Sequence, residues 1–505
     1  MSNLLEKASI ILTPTAYDNG KVLCVKPTDG SGDFDFSRNS AATRVNAQGL
    51  VENVQILSSN LVTNGDFSDG STDWTLDTGW SIGDNKMTGN SASGDSYQDL
   101  NLSGGEKTFK ITFDCIVNSG QFAVRFINKQ WVSASGTYTI YETTTSSRLF
   151  VDGRASQLFS GSVTNISVVE ITTDTNLPRI NYEGGCGSWL FEPQSTNLVF
   201  QSNTLTAISG GVVTPNAAIS PDGTTNAIKV NFSTGVNSGG TISIGGGSAT
   251  PSTEYTISFY AKNFSGDGTF RLRLDTDTQA TLVNEDFTAT SDWVRYTHTF
   301  TTDAAASSFG SSSRFRNDTD NNEVLFFGMQ LEQQSYATSY IPTSGSTVTR
   351  NQDLCTNGGS LASINSSEGV LYFEGSGLVN GGQHRVVSLS DGTNDNLIYI
   401  RVDSTANRFT SFARGSSGSY NIITANGINQ TNNNKVALVW DATNFRIWIN
   451  GTESATATIN NLPIAMNTLD FTSPTGSNLF FGNTKCVAVW KEALTDAELT
   501  SLTTI

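Results

Sequence analysis

"GEKTFKITFDCIVNSGQFAVRF", residues 105–126, decides the fold class. Phe109, Ile111 and Phe113 alternate with Lys110, Thr112 and Asp114; after the turn "NSGQ", Phe122, Val124 and Phe126 alternate again. A period of two, apolar against polar, predicts strands buried on one face, and the Asn-Ser-Gly turn separates two of them. The arrangement returns in "STEYTISFYAKNFSGDGTFRLRL", residues 252–274. There Tyr255, Ile257 and Phe259, then Phe270, Leu272 and Leu274, take the corresponding places across a slightly longer turn. Upstream, "NLVTNGDF" starts at Asn60 and "NLVFQSNT" at Asn197. Downstream, each block closes on an apolar strand, "VTNISVVEI" (163–171) and "VLFFGMQLE" (324–332). One sandwich module is expected to occur twice, over residues 60–172 and 197–335.

Composition agrees with an all-β chain. Only 15% of the 505 residues are charged, and polarity comes from Ser, Thr, Asn and the 47 Gly, which favour turns and exposed strand faces over helices. The length suggests three or four domains. A net charge of −17, from 29 basic and 46 acidic residues, argues against nucleic acid and against docking on or inserting into membranes, because phosphate contacts need clustered Lys or Arg. Neutral polymers stay open as ligands. Cys24, Cys115, Cys186, Cys355 and Cys486 lie far apart with no CxxC spacing, which argues against a zinc site and a disulfide framework. The opening "MSNLLEKASIILTPTAYDNG" reads as neither a signal peptide nor a membrane span, so synthesis and folding in a reducing cytoplasm are expected.

From about residue 360 the pattern changes. "KVALVWDATNFRIWINGTESATATI" (435–459) predicts a three-stranded meander, in which Asn450-Gly451 supplies the positive-φ pair of a tight hairpin. "TDAELTSL" (495–502) is the convincing helix signal, with Thr495 and Glu498 as a capping box and Leu499 and Leu502 placed to cap the sandwich.

Three stretches resemble modular bacteriophage tail, baseplate and fibre proteins. "FSRNSAATRVNAQGLVE" (36–52) is similar to a phrase near their N-termini. "LPRINYEGGCGSWLFEPQSTNLV" (177–199) resembles the phrase that follows it there, so the first sandwich module looks like an insertion into a shared framework. "FFGMQLEQQSYATSYIPTSGSTVTR" (326–350) resembles the closing strand and exit linker of their jelly-roll modules. The opening "NLVTNGDFSDGSTDW" is similar to carbohydrate-binding jelly rolls, and "RIWINGT" with "VWKEALTDAEL" to laminin-G or concanavalin-A-like sandwiches. The resemblance implies a virion protein, often homotrimeric, made in the host cytoplasm and attached to other virion proteins.

Candidate chemistry is sparse. His298 and His384, the two histidines, sit in no nucleophile frame, so a triad is not expected. Glu192 in "FEPQ" is the most tempting acid of a two-carboxylate hydrolase, but a framework role fits it better. "GGGSATPST" (245–253) precedes a strand, not a helix, and so does not read as a phosphate loop. For glycan binding, Tyr260 and Arg273 fall opposite the inward residues of the second module, and Asp114 and Arg125 hold the matching positions in the first, with Trp131 close after. Trp448 with Arg446 forms a second candidate platform, for which burial at an interface or in a core is the competing reading. Trp74, Trp80 and Trp293 are expected to close sandwich cores. Asp66, Asp69 and Asp73 are candidate calcium ligands; no other cofactor is expected. Arg38, Arg44, Arg179 and Glu192 read as framework residues that fix strands, turns and subunit contacts.

The expected fold is all-β: serial β-sandwich (jelly-roll) domains, a small N-terminal attachment region and a short C-terminal helix. Its parts are an attachment and assembly region (1–59), an inserted jelly roll (60–172), a connecting framework segment (173–196), a second jelly roll (197–338), a linker (339–359) and a laminin-G/concanavalin-A-like sandwich (360–505). The expected function is a non-catalytic fibre or appendage subunit on a virion head or tail that contacts host-surface glycans. The competing expectations are a polysaccharide depolymerase and an architectural decoration protein without a ligand.

Overall fold

In the first repeat, Lys107–Ser119 lies between Gly136–Thr144 on one side and Phe159–Thr173, Lys86–Ala92 and Trp80–Gly83 in succession on the other. Asp95–Asp99, Arg148–Gly153 and Phe122–Arg125 form the facing sheet. The space between is filled by the inward set read from the alternation, Phe109, Ile111, Phe113, Phe122, Val124 and Phe126, with Trp74 and Trp80. These and all other statements about this computed structural model cover every residue except 1, 103, 209, 233–237, 245–248, 277–280, 311–312, 318–321, 417, 419 and 460; side chains 2 and 3 are also left aside. The start of "GGGSATPST" thus lies outside the described residues.

The second repeat has the same strand order. Glu254–Ser265 lies between Val294–Thr301 and the succession Asn322–Glu332, Thr225–Phe232 and Val212–Ile219. Its facing sheet carries Ser238–Ile242, Arg314–Asn317 and Thr269–Asp275 in the matching order. The irregularities recur too. Against the closing strand, the first repeat shifts register between Thr112 and Asp114 and again between Val117 and Ser119. The second shifts between Ser258 and Tyr260 and between Asn263 and Ser265, the same places counted from Phe113 and Phe259. A bulge bends its strand and re-aims side chains, so the two jelly rolls share a curvature as well as a topology.

The third sandwich faces an eight-stranded sheet with a five-stranded one. The expected meander is present, and Asn450 and Gly451 both take positive φ. The helix Asp496–Thr503 forms its capping box and buries Leu499 and Leu502 on the outer side of the large sheet. Three strands of that sheet come from far away in sequence. Ile10–Leu12 pairs with Gly482–Trp490, Ile10 opposite Val489. Ser188–Phe191 pairs further along the same strand, Trp189 opposite Thr484, and Ile180–Asn181 pairs with it in turn. Nearby, Phe34–Ser37 pairs with Leu354–Thr356. Ile10, Leu12, Phe34, Phe36, Trp189 and Phe191 share one core with Leu371, Trp440 and Val489.

This corrects the expected division. Residues 1–59, 173–196 and 339–359 do not stand apart as attachment region, connector and linker; they build one frame with the C-terminal sandwich. The physical reason is the alternation Phe34/Phe36 and Trp189/Phe191, which needs a sheet to bury against; the edge of the C-terminal sheet provides one. Both jelly rolls loop out of this frame. Ile56–Leu57 pairs with Ile171–Thr173 where the first leaves and returns, and Ser195–Asn197 pairs with Val348–Arg350 at the second. The chain is the expected all-β series of sandwiches with a short C-terminal helix, and both jelly rolls are inserted into the frame.

The framework phrases 36–52 and 177–199 meet at these stems around a buried ionic cluster. Asp353 accepts from Arg38 at 3.0 Å and from Arg179 at 2.5 Å; Glu192 accepts from Arg179 and Arg350, each at 2.6 Å. All five side chains are essentially inaccessible to solvent. Buried charge is tolerated only when paired and hydrogen-bonded, and here Arg38 also donates to the Leu177 carbonyl and Arg350 to the Pro193 carbonyl. Burial raises the Glu192 carboxyl, but Arg350, Arg179 and the Ser339 hydroxyl outweigh it and bring it to about 2. Burial pulls Arg38 down to about 10 against the attraction of Asp353. Arg44 differs: half-buried, it pairs with Glu52 at 2.9 Å across the hairpin Thr43–Val45/Val51–Asn53. Among the described residues, no helix is long and apolar enough to cross a membrane.

Candidate functional site

The hairpin carrying Arg44 leans on the second jelly roll, since the Val51 amide donates to the Pro221 carbonyl at 2.9 Å. Between them opens a groove of about 660 Å³. One wall is the frame, with Val45, Leu50, Val51 and the turn bearing Tyr182 and Glu183; the other is the sandwich, with Tyr260, Lys262, Trp293 and Arg295. Tyr260 faces this groove because unbroken alternation along its strand puts Tyr255, Ile257, Phe259 and Ala261 in the core and Tyr260 on the outer face, beside Phe327. Trp293 anchors its indole N–H on the Ile219 carbonyl at 3.1 Å. The Arg295 guanidinium lies 5.6 Å from the Tyr260 ring centre, with Nη2 donating to the Ser258 hydroxyl and the Thr338 carbonyl. Burial raises the Tyr260 hydroxyl above the usual tyrosine range, against the pull of Arg295.

Chemically, the groove offers ring faces for the apolar side of a sugar, two cations and one carboxylate at its edge. Glu183 is the sole acid among its lining residues, so the paired carboxylates of a glycosidase are not assembled there.

Several sequence-derived sites are corrected by geometry. Tyr260 and Arg273 do not lie side by side: the strands Glu254–Ser265 and Thr269–Asp275 belong to facing sheets, so their outward residues point away from each other. Arg273 is held by Asp275 at 2.8 Å. The same crossing separates Asp114 from Arg125, which is buried between Asp152 (3.0 Å) and Asp95 (3.2 Å), over the Phe150 ring. Trp131 is half-buried, with Lys129 and Arg154 near its ring. Trp448 is not a platform. Only 7% exposed, it packs with Leu4, Leu499 and Leu502 beneath the C-terminal helix, while Arg446 pairs with Asp496 at 2.7 Å. Trp293 lines the groove instead of closing a core. Asp66, Asp69 and Asp73 are exposed, and among the described residues no group of acids, histidines or cysteines is arranged to hold a metal. Asp66 instead accepts from the amide and hydroxyl of Ser68.

His298 lies in a strand opposite Ile257. At His384, Nδ1 accepts the Ser404 amide at 3.1 Å and so has no proton for Asp403, 3.9 Å away; this is not a triad. The five cysteines are free. Reading the sequence missed Trp293, Lys262 and Arg295 as groove residues and Asp353 and Arg350 as cluster residues. Spacing along one strand gave a signal only for Tyr260; the others depend on which segments meet.

Two family models match parts of the chain. One, described as a carbohydrate binding domain, matches residues 181–311, and one of the concanavalin A-like lectin/glucanases superfamily matches residues 378–500. The first span holds the sandwich wall of the groove. A comparison with curated proteins returned no match. Among solved structures, the IT-sialidase CBM40 of Ruminococcus gnavus is similar at 16% identity, over 29% of this chain and 93% of that one, with a TM-score of 0.26. A leech intramolecular trans-sialidase is similar at 19% identity over 28% and 24%, TM-score 0.24. A SAP-like pentraxin from Limulus polyphemus is similar at 13% identity over 29% and 72%, TM-score 0.24. These likenesses are too slight to carry function.

Proposed function

We propose that this protein is a non-catalytic glycan-binding subunit of a bacteriophage virion, a head or tail fibre or appendage. The observation that carries glycan binding is the groove in which Tyr260, Trp293, Arg295 and Lys262 converge within the span similar to a carbohydrate-binding domain. The virion setting is supported by the phrases at 36–52, 177–199 and 326–350, which resemble bacteriophage structural proteins. In this reading the frame, including residues 1–59, contacts other virion proteins, and the two jelly rolls project from it. A homotrimer would turn weak single-site contacts into avidity.

The test is a glycan array and a host-polysaccharide pull-down with the full chain, its Trp293→Ala and its Tyr260→Ala variants. Retention by the unaltered chain that falls about tenfold or more in both variants is expected, since a stacked ring contributes on the order of 1–2 kcal/mol. No retention by the unaltered chain would leave an architectural role. New reducing ends released from the polysaccharide would mean a hydrolase. Mass spectrometry of purified particles tests the virion setting separately, and a chain missing from every particle would overturn it.

A further inference from the structure

The outer face of the second jelly roll's larger sheet brings more than rings into the groove. Tyr260 and Lys262 are two residues apart on one strand, so both side chains turn outward, and Arg295 stands opposite Tyr260 on the next strand. Arg295 is fixed before any ligand arrives. Its guanidinium lies beside the Tyr260 ring, and Nη2 donates to the Ser258 hydroxyl at 3.0 Å and to the Thr338 carbonyl at 2.7 Å. Trp293, tied to the Ile219 carbonyl, completes this wall.

The charges on this wall are unmatched. Neither Lys262 nor Arg295 forms an ion pair among the described residues, and Lys262 makes no hydrogen bond among them either. Elsewhere on the same jelly roll, Arg271 pairs with Asp286 at 2.5 Å, Arg273 with Asp275 at 2.8 Å and Lys229 with Glu323 at 2.9 Å. Glu183, the one acid lining the groove, is exposed on the frame wall and pairs with neither cation. The groove is therefore locally positive in a chain of net charge −17. Both cations are half-buried, where a charge is screened less than on an open surface.

We infer that the groove selects acidic sugars: its ligand is a glycan bearing a carboxylate or a sulfate beside a ring stacked on Tyr260 or Trp293. The inference rests on the groove's being the glycan site and adds the charge of what it takes. A neutral sugar filling the groove strips water from Lys262 and puts no countercharge in its place, which is costly. An anionic substituent accepts from the Lys262 ammonium and lies in the field of Arg295, and such charge-assisted hydrogen bonds are roughly twice as strong as neutral ones. Because Arg295 is already held by Ser258 and Thr338, little side-chain freedom is lost on binding. Glu183 repels the same anion from the other wall, which orients the sugar: charged substituent towards Lys262, hydroxyls towards the frame.

Calorimetry on the full chain with matched pairs of probes tests the inference: trigalacturonate and its methyl ester, a hyaluronan tetrasaccharide and its carboxyl-reduced form, galactose 6-sulfate and galactose. In at least one pair the acidic member is expected to bind about tenfold more tightly or better; the galactose pair reads sulfate and the others carboxylate. Lys262→Gln should remove most of that gap and leave the neutral member unchanged, Glu183→Gln should widen it, and added salt should narrow it. Equal affinity within every pair overturns the inference and leaves glycan binding standing. A gap that survives Lys262→Gln, or narrows in Glu183→Gln, puts the anion outside the groove and overturns it as well. If no probe binds, the acid preference falls, and the polysaccharide pull-down decides separately whether the groove takes any glycan.

Discussion

The two jelly rolls share strand order, inward residues and the positions of both bulges, yet one position on their outer faces separates them. In the second, Tyr260 stands opposite Arg295; in the first, the equivalent pair is Asp114 and Thr137, joined by a hydrogen bond of 2.6 Å. Plain alternation turns a side chain outward at that place in both copies, and only one copy puts a ring there. Surroundings differ as well. Tyr260 looks across a groove at the frame, whereas Asp114 is occupied by Thr137 and, through its other oxygen, Asn165. The groove therefore depends on which residue stands at that outward position and on what is docked opposite it; the sandwich alone does not set it.

The largest way to break this contrast is through the frame. Asp353→Ala strands Arg38 and Arg179 in the interior, and unfolding by urea should show a loss of about 3–5 kcal/mol. Glycan retention at the groove should go with it, because its frame wall hangs from the same cluster, while amide protection in the first module's own core (residues 105–126) persists. Equal loss of protection in both would mean that the modules are not separately cored.

Next comes acid. Glu192, at about 2 against an ordinary 4.5, supplies stability that is complete above pH 4.5 and is lost as pH falls towards 2. The full loss, on the order of 3 kcal/mol, is reached only below pH 2; about 2 kcal/mol of it should be read as a falling urea midpoint between pH 6 and 3, and Glu192→Gln should flatten that slope. The first module carries the opposite sign. Burial, then the hydrogen bond and charge of Asp152, raise Asp95 to about 6, so its contribution is present below pH 3.8 and fades as pH rises through 6. Hydrogen exchange should accordingly show segment 177–199 loosening in acid while the strands around Asp95 do not.

The smallest effect expected is nothing at all. Grafting the pair into the first module, as Asp114→Tyr with Thr137→Arg, should add no glycan retention, since the groove's other lining residues, Trp293, Lys262 and the Tyr182–Glu183 turn, stand around Tyr260; retention gained would show that the pair alone suffices.

Much of the fold is legible in the sequence because alternation is local. The inward sets at 109–113 and 255–259 follow from a period of two, and the capping box at Thr495 and Glu498 from adjacent residues. Nesting is not legible, because pairing of Ile10 with Val489 depends on an edge far away in the chain. Sites suffered most. Alternation places Trp448 outward correctly but says nothing of the helix that covers it, and it places Tyr260 and Arg273 outward without saying that their strands lie in opposite sheets. Arg350 closes the phrase at 326–350, yet its ionic role appears only once Glu192 is beside it.

The paired stems at Ile56–Leu57/Ile171–Thr173 and Ser195–Asn197/Val348–Arg350 have a consequence for how such a chain can change. Seen from the frame, each jelly roll is a closed loop, and loop-closure entropy grows so slowly that doubling a loop's length costs only about 0.6 kcal/mol. A module can then be lost, lengthened or exchanged for a different one at almost no expense to the body that holds it, provided that the two stem strands still meet. Novelty in what is gripped can accumulate in the loops while the part that must fit its neighbours stays as it is.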